Sequence, residues 1–435
     1  SRSGRPPASS ASPPVPRATE NPAPRPSAGA SPSALVRLPR GPTLPVGSPE
    51  ELVRWARPRL GLFGITRLAD VTGLDHLGVP VAVCCRPNGR TLSVSQGKGL
   101  TRAEAFAGAL MESIETWHAE TPTLPELVTA PERVAGNPGF LDLGRVTPPR
   151  GSRLRPDLPI PWLPGRDLAS GREVMVPAEL VELDTTRPPS RGRGCFTLTT
   201  SGLASGRTPV DAALHGLLEL VERDAVTLWS LRDPFARAAS RVDLEGLRGS
   251  ELSALLDRLR AAGMLVAVWD ATSDLGIPTY FCHLMADRPG PHDPGTWEFG
   301  SACRIDPEAA ILAAVLEAIQ ARLTQITGSR DDIGRARYAP IDPARLARHR
   351  ELLRRKGRRP VADPPWDPGL RPRDHLARLL ERLVERGLSS PVLVDLSRAE
   401  IGVPVVKLVL PLLEDGLELE GWVPGPRARA FGAQP

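Results

Sequence analysis

Six polar side chains at two fixed distances from three helix starts are where this chain of 435 residues could do chemistry. Glu112 and Glu115 are the eleventh and fourteenth residues after Thr101, Glu219 and Glu222 follow Thr208 at the same distances, and Glu317 and Gln320 follow Asp306 likewise. A separation of three residues places both members of a pair on one helix face. The three helices thus offer five carboxylates and one carboxamide. A single Glu pair of this kind is ordinarily a solvated helix face. These pairs, however, sit among Leu110, Met111, Ile114 and Trp117, among Leu217, Leu218, Leu220 and Val221, and among Ile311, Leu312, Val315, Leu316 and Ile319, so the helices read as mostly buried. Buried carboxylates need counter-charge, because an uncompensated ionised acid in a low-dielectric site is prohibitively costly. Mg²⁺ supplies it with oxygen ligands, taking one or two protein carboxylates and completing its shell with water and substrate phosphates. The chemistry expected is the binding of a nucleotide with Mg²⁺.

The elements that must hold these groups are three copies of one unit, a Gly/Ser-rich stretch followed by a capped helix: SVSQGKGLTRAEAFAGALMESIETW from Ser93, TSGLASGRTPVDAALHGLLELVERDA from Thr200 and FGSACRIDPEAAILAAVLEAIQARL from Phe299. Thr101 with Glu104 forms a capping box, Thr208-Pro209 with Asp211 puts proline first and an acid in the first turn, and Asp306-Pro307-Glu308 does the same with an aspartate cap. Lys98, one of only three lysines, lies between two glycines just before the first of these helices and favours anion binding. No Walker A spacing, GxGxxG fingerprint, HExxH or GxSxG elbow occurs.

Length and 41% hydrophobic content allow a sizeable core. Residues 1–45, rich in Pro, Ser, Ala and Arg, are expected to be disordered, and 46–435 to form the folded domain, with a basic helical insertion over 333–390. There is no secretory h-region and no uncharged apolar run of spanning length, which points to a cytoplasmic protein. The five cysteines form no CxxC pair and read as packing residues; His118 and His215 read as polar groups behind the acids. A net charge of +5 invites a nucleic-acid reading, but aromatic content of 4% gives no stacking platform. A short helix over 48–56, a hairpin in DLASGREVMVPAELVEL, helices near Leu247–Ala262, Pro343–Lys356 and Arg373–Arg386, and strands in MLVAVWDAT, TYFCHLMAD, PVLVDLS and VPVVKLVLP are expected. The proline-rich stretch from Pro122 to Pro164 is expected to wrap the surface. The class is α/β or α+β, with mixed sheets covered by the repeat helices.

The GKG loop followed by ExxE, the SGLASG loop followed by ExxER, the DPEAA helix with ExxQxR and then GSRDD, and the ending DLSRAEIGVPVVKLVLP together resemble the YcaO family, in order over most of the chain. The resemblance implies a YcaO-type ATP-binding fold in which carboxylates from several helices hold Mg²⁺ against nucleotide phosphates. It also implies ATP-dependent activation of a backbone amide oxygen in a ribosomally made precursor peptide. On this resemblance Glu112, Glu115, Glu219, Glu222 and Glu317 are metal ligands, with Gln320 completing the site. Turnover is expected to depend on Glu115, Glu222 and Arg223. Lys98, Arg223, Arg322 and Arg330 are candidate phosphate clamps, and Ser201 with its neighbouring glycines would let backbone N–H groups approach the nucleotide. The serine that the family often carries four residues before the first acid is Gly108 here. Azoline-forming members commonly end in PxPxP, whereas this chain ends WVPGPRARAFGAQP, more similar to members that work with a TfuA partner and install thioamides. A TfuA-like or leader-binding partner is therefore expected, and a homodimer suits such a fold; nucleic acid and membrane are not expected as partners. A silent peptide-binding scaffold stays open as the alternative of another class.

Overall fold

Local grammar sets the three repeat helices. In the computed structural model, which describes residues 36–186, 193–288, 296–416 and 421–432, the Thr101 side chain accepts from Glu104 N–H, Thr208 from Asp211 N–H, and Asp306 from Ala309 N–H, each of these caps in extended backbone. Both threonine caps are reciprocated by an N3 acid, closing full capping boxes.

In chain order the elements are α1 (Pro49–Ala56), β1 (Arg67–Asp70), β2 (Val81–Cys85), β3 (Val94–Lys98), α2 (Arg102–Glu120), β4 (Leu127–Thr129), α3 (Pro131–Val134), β5 (Ile160–Asp167), β6 (Glu173–Pro177), β7 (Leu203–Ser205) and α4 (Pro209–Ser230). They continue with α5 (Pro234–Ala239), α6 (Glu251–Ala261), β8 (Met264–Asp270), β9 (Thr279–Ala286), β10 (Glu298–Cys303), α7 (Pro307–Thr327), α8 (Pro343–Arg354), α9 (Pro372–Glu385), β11 (Val392–Asp395), β12 (Val405–Val409) and α10 (Pro426–Ala430). Three sheets result, ordered β1-β2-β3, β10-β9-β8 and β4-β5-β11-β12-β7, with β6 also paired to β5. Each repeat supplies the end strand of a different sheet: β3, β7 and β10 lead straight into α2, α4 and α7.

Every strand ladder among the described residues is antiparallel, which selects α+β from the two classes expected and replaces the mixed sheets with antiparallel ones. A second correction concerns the proline-rich connection. Its end, Ile160-Pro161-Trp162-Leu163-Pro164, is an interior strand of the largest sheet, with Trp162 fully buried and its indole N–H donated to Thr129 O at 3.1 Å. Prolines hid this strand, since they disfavour interior positions of a sheet. The N-terminal boundary also moves. Residues 1–35 lie outside the described residues, but Val36 and Leu44 are buried, and Leu44 N–H bonds to Arg207 O at 2.9 Å, so the folded body begins before residue 46.

Helix and sheet approach closely where glycine removes a side chain. A Cβ on Gly97 would collide with Ala105 O and Ala109 N of α2, and one on Gly300 with Ala314 O and Ala318 N of α7. Within the basic segment, Leu376, Leu380 and Leu383 of α9 join Leu217 of α4 in one apolar cluster, and Leu353 of α8 packs with Trp269 and Phe281 in another. All five cysteines are free and at least half-buried. By length and composition α7 could cross a membrane, but 61% of its apolar window is buried inside the fold, as in the core helix of a globular domain.

Candidate active site

In the first two pairs the second acid is tied to the strand of the next repeat. Glu115 of α2 accepts from Ser205 N–H at 2.8 Å and Ser205 Oγ at 2.5 Å, on β7. Glu222 of α4 accepts from Ser301 Oγ at 2.7 Å and Cys303 N–H at 3.1 Å, on β10. The circuit closes from α7 back to β3, where Glu317 accepts from Lys98 Nζ at 2.9 Å and Thr324 Oγ1 donates to Gln96 Oε1. Lys98, Ser205 and Cys303 are each the third residue before their cap, so the same position of each strand serves the preceding helix. The first acids are held within their own units, Glu112 by Gln96 N–H and Glu219 by Gly202 N–H, both at 3.1 Å. Backbone N–H groups and hydroxyls thus fix four carboxylates whose positions do not depend on flexible partners.

This ring crowds negative charge. Burial raises the carboxyl of Glu115 to about 8, with Glu112 and Glu219 adding to the effect against the Ser205 bonds. Glu219 rises to about 7 through burial and Glu222, against Arg223 and Lys407. Glu112 is raised by burial and Glu222 by burial and then Glu317. Glu317 alone is held below the ordinary range: burial opposes this, but Lys98, Arg223 and Arg304 outweigh it. These are the mutual effects of acids sharing one cleft. Gln320, one turn beyond Glu317 on the same face, takes the place of a sixth carboxylate without its charge.

Cations flank the acids. Arg223 lies 3.8 Å from Glu219 and is held charged by Glu219, Glu222, Glu317 and Asp415 despite burial. Arg330 pairs with Asp332 and its charge reaches Glu112. Arg322 turns elsewhere: at 2% exposure it pairs with Asp75 at 2.8 Å, and clamping a phosphate would break that buried pair. The loop N–H groups expected to face the nucleotide are already engaged, Ser201 N–H with Thr199 Oγ1 at 3.1 Å and Gly202 N–H with Glu219. His118 is a core residue whose Nδ1 meets Ile114 O at 2.7 Å. His215 is exposed toward the cleft, where the crowding of protein atoms around it lowers its imidazole to about 4, with Arg304 and Lys98 pushing the same way.

Three site groups escaped the sequence reading. Arg304 follows the strand of the third repeat where the other two units carry Gly99 and Gly206, a departure the alignment of repeats exposes. Lys407 and Asp415 come from β12 and the segment after it. Lys407, 2% exposed, donates to Thr199 O at 2.5 Å, and burial pushes its ammonium down to about 8 against the pull of Glu219 and Asp415.

The donor set suits Mg²⁺ with a nucleotide. It is made of oxygen, without thiolate or imidazole in the acid ring, as hard cations require. Among the described residues no three His, Cys, Asp or Glu side chains are gathered to hold a metal by themselves. Raised carboxyls and two buried donors without partners, Arg223 Nε and Gln96 Nε2, mark groups awaiting a counterpart.

A family model described as YcaO cyclodehydratase, ATP- and Mg²⁺-binding, matches residues 96–414. The chain is 37% identical over 378 residues to the protein of the tfuA 3′ region of Rhizobium leguminosarum bv. trifolii, covering 84% of this chain and 88% of that one. It is 35% identical over 374 residues to a protein of Methanothermobacter thermautotrophicus, covering 84% and 94%. In fold it is similar to a heterocyclase solved with substrate and cofactor (TM-score 0.69, 20% identity), of which it spans 54% while 87% of this chain is covered. It is likewise similar to YcaO from Methanopyrus kandleri bound with AMPPCP and Mg²⁺ (TM-score 0.62, 23% identity, 85% and 92% covered). The chain therefore belongs to the YcaO family, whose model is described as ATP- and Mg²⁺-binding.

Proposed function

We propose that this protein activates a backbone amide of a ribosomally made peptide with ATP and Mg²⁺, and that the product is a thioamide formed with an external sulfur donor and a TfuA-like partner. The observation that carries the amide-activating part is the closed ring of five carboxylates with Arg223 and Lys98 at its edges. Mg²⁺-ATP supplies the phosphoryl group that converts the amide oxygen, otherwise a very poor leaving group, into one that departs as phosphate. Glu112, Glu115, Glu219, Glu222 and Glu317 would hold the metal, and Gln320 would contribute a neutral oxygen. Lys98, Arg223 and Arg330 would neutralise phosphate charge, with His215 and Arg304 lining the same cleft. Catalysis by these residues consists of positioning and charge neutralisation, for which fixed groups in a cleft are well suited.

One observation favours the thioamide: a relative over most of the chain is the tfuA 3′-region protein. The PGPRARA segment is α10 with its lead-in, latched to the site helix by Arg427, whose guanidinium grips Asp224 at 2.9 and 2.8 Å. Mass spectrometry of a precursor co-expressed with this protein and its TfuA-like partner tests the reading: exchange of oxygen for sulfur adds about 16 Da, whereas loss of water removes about 18 Da. The second outcome would assign azoline formation, and an unmodified peptide would favour the scaffold.

A further inference from the structure

A cavity of about 170 Å³ opens beside Arg223, bounded by α4, β12, the loop before β7 and the segment leading into α10. Its walls include Leu220, Leu413 and Trp422, and its floor carries Ser201, Lys407 and Asp415. Ser201 Oγ and Thr199 Oγ1 both donate to Asp415 Oδ2, at 2.7 and 3.0 Å, and the other carboxylate oxygen stays available as an acceptor. Lys407 donates to Thr199 O and to no other acceptor among the described residues, leaving two of its three protons for a ligand. Arg223 Nε is also buried without a partner. Lys407 and Arg223 offer donors and Asp415 a carboxylate oxygen, so a ligand that fits them presents an acceptor oxygen beside a donor N–H, as a backbone amide segment does, and the walls want an apolar body attached to it.

Size separates the candidates. A cavity of about 150 Å³ accommodates a benzene-sized group, whereas drug-sized ligands occupy about 300–1,000 Å³. One peptide residue fits here and a nucleoside does not. Backbone strain points to the same place: Leu412, in the cavity wall, is the one non-glycine residue among those described with positive φ, at 77°. A bulky side chain rarely adopts that conformation, which persists where surroundings over-determine it, as at functional sites.

We propose that this cavity seats the peptide residue whose backbone amide is activated, its side chain against Leu220, Leu413 and Trp422 and its carbonyl oxygen facing Lys407 and Arg223. The assignment rests on the cleft being the Mg²⁺-ATP site, because Arg223 belongs to both and sets the amide next to the phosphates. Apolar walls also exclude water that would compete for the phosphoryl group.

The test uses the full chain and N-acetyl-leucine N-methylamide, a probe with two backbone amides and one apolar side chain, observed by saturation-transfer NMR. The native protein is expected to transfer saturation to the probe. Lys407→Met should weaken binding about tenfold or more, as expected for loss of a charged hydrogen bond, and Leu413→Trp, at a half-buried wall position, should abolish it by filling the space. In Leu413→Trp the thermal stabilisation by Mg²⁺-AMPPCP should remain. No transfer in the native protein, or undiminished binding in both variants, overturns the proposal. Loss of AMPPCP stabilisation in Leu413→Trp also overturns it, by making the cavity the nucleoside pocket. A native protein that binds the amide but gains no stability from Mg²⁺-AMPPCP would sink the nucleotide reading alone.

Discussion

The carboxylate cleft draws its side chains from three copies of one strand–loop–helix unit, whereas the cavity beside it adds to Leu220 and Arg223 of α4 the residue Leu180 and the stretches 145–147, 196–201, 407–415 and 422–426. In the cleft Glu112 and Glu219 are aimed by backbone donors of their own units and Glu115 and Glu222 by backbone donors of the next unit. Around the cavity, isolated buried acids hold the walls. Glu179 accepts from Gly194, Cys195 and Phe196 N–H, Glu414 from Gly425 and Ala428 N–H, and Asp224 grips Arg427. Repetition makes the first region redundant in its construction, while the second depends on single long-range latches. Under the proposed function, the nucleotide-facing region is built by repetition and the peptide-facing region by single latches.

The largest effect that would sharpen this contrast is at Gly97. Gly97→Ala must push α2 off β3, because backbone atoms of Ala105 and Ala109 occupy the Cβ position. A loss of about 3 kcal/mol, at the upper end of overpacking costs, is expected in urea unfolding. Native stability would show that the cleft floor yields. Next, Glu222→Gln should reduce phosphate release from ATP by about a hundredfold or more while the far-ultraviolet spectrum stays native, since one charge goes without a change of volume. Wild-type turnover would remove this acid from the machinery. Lys98→Ala should weaken Mg²⁺-AMPPCP binding about tenfold, the value of one charge-assisted contact, and calorimetry giving an unchanged affinity would return Lys98 to partnering Glu317 alone.

The smallest effect is pH dependence without metal. Glu115 and Glu219 have folded values near 8 and 7, above the unfolded range of a glutamate, so the native state binds more protons than the unfolded chain between those limits. Their contribution is most favourable below the unfolded value and is lost as pH rises through 7 and 8. The melting temperature of metal-free protein should therefore fall over that window. Saturating Mg²⁺-ATP should reduce the fall, and Glu115→Gln should flatten its upper part. An equally steep fall in Glu115→Gln would place the titrating group elsewhere.

The acids were legible because capping and a period of 3.6 are local: Thr101, Thr208 and Asp306 fix the register, and the register fixes the face. Strand β6 with the turn before it, helices α6, α8 and α9, and strands β8, β9, β11 and β12 follow from periodicity in the same way, whereas β5 does not. What could not be read is long-range. Nothing near Arg322 announces Asp75 as its partner, and nothing near Lys407 announces Thr199. Trp162 was hidden by the prolines on either side of its strand segment, although its burial is complete.

The passage of acids from helix to the next unit's strand returns to its start after three steps, through Glu317 to Lys98. An open solenoid can be lengthened or shortened by whole modules, since each contacts only its neighbours and the ends are sealed by special caps. A circle of three has no ends to seal and no place for a fourth member. Addition of whole modules is thereby excluded, and the number of side-chain positions around the centre, though not which of them carry acids, is set by geometry.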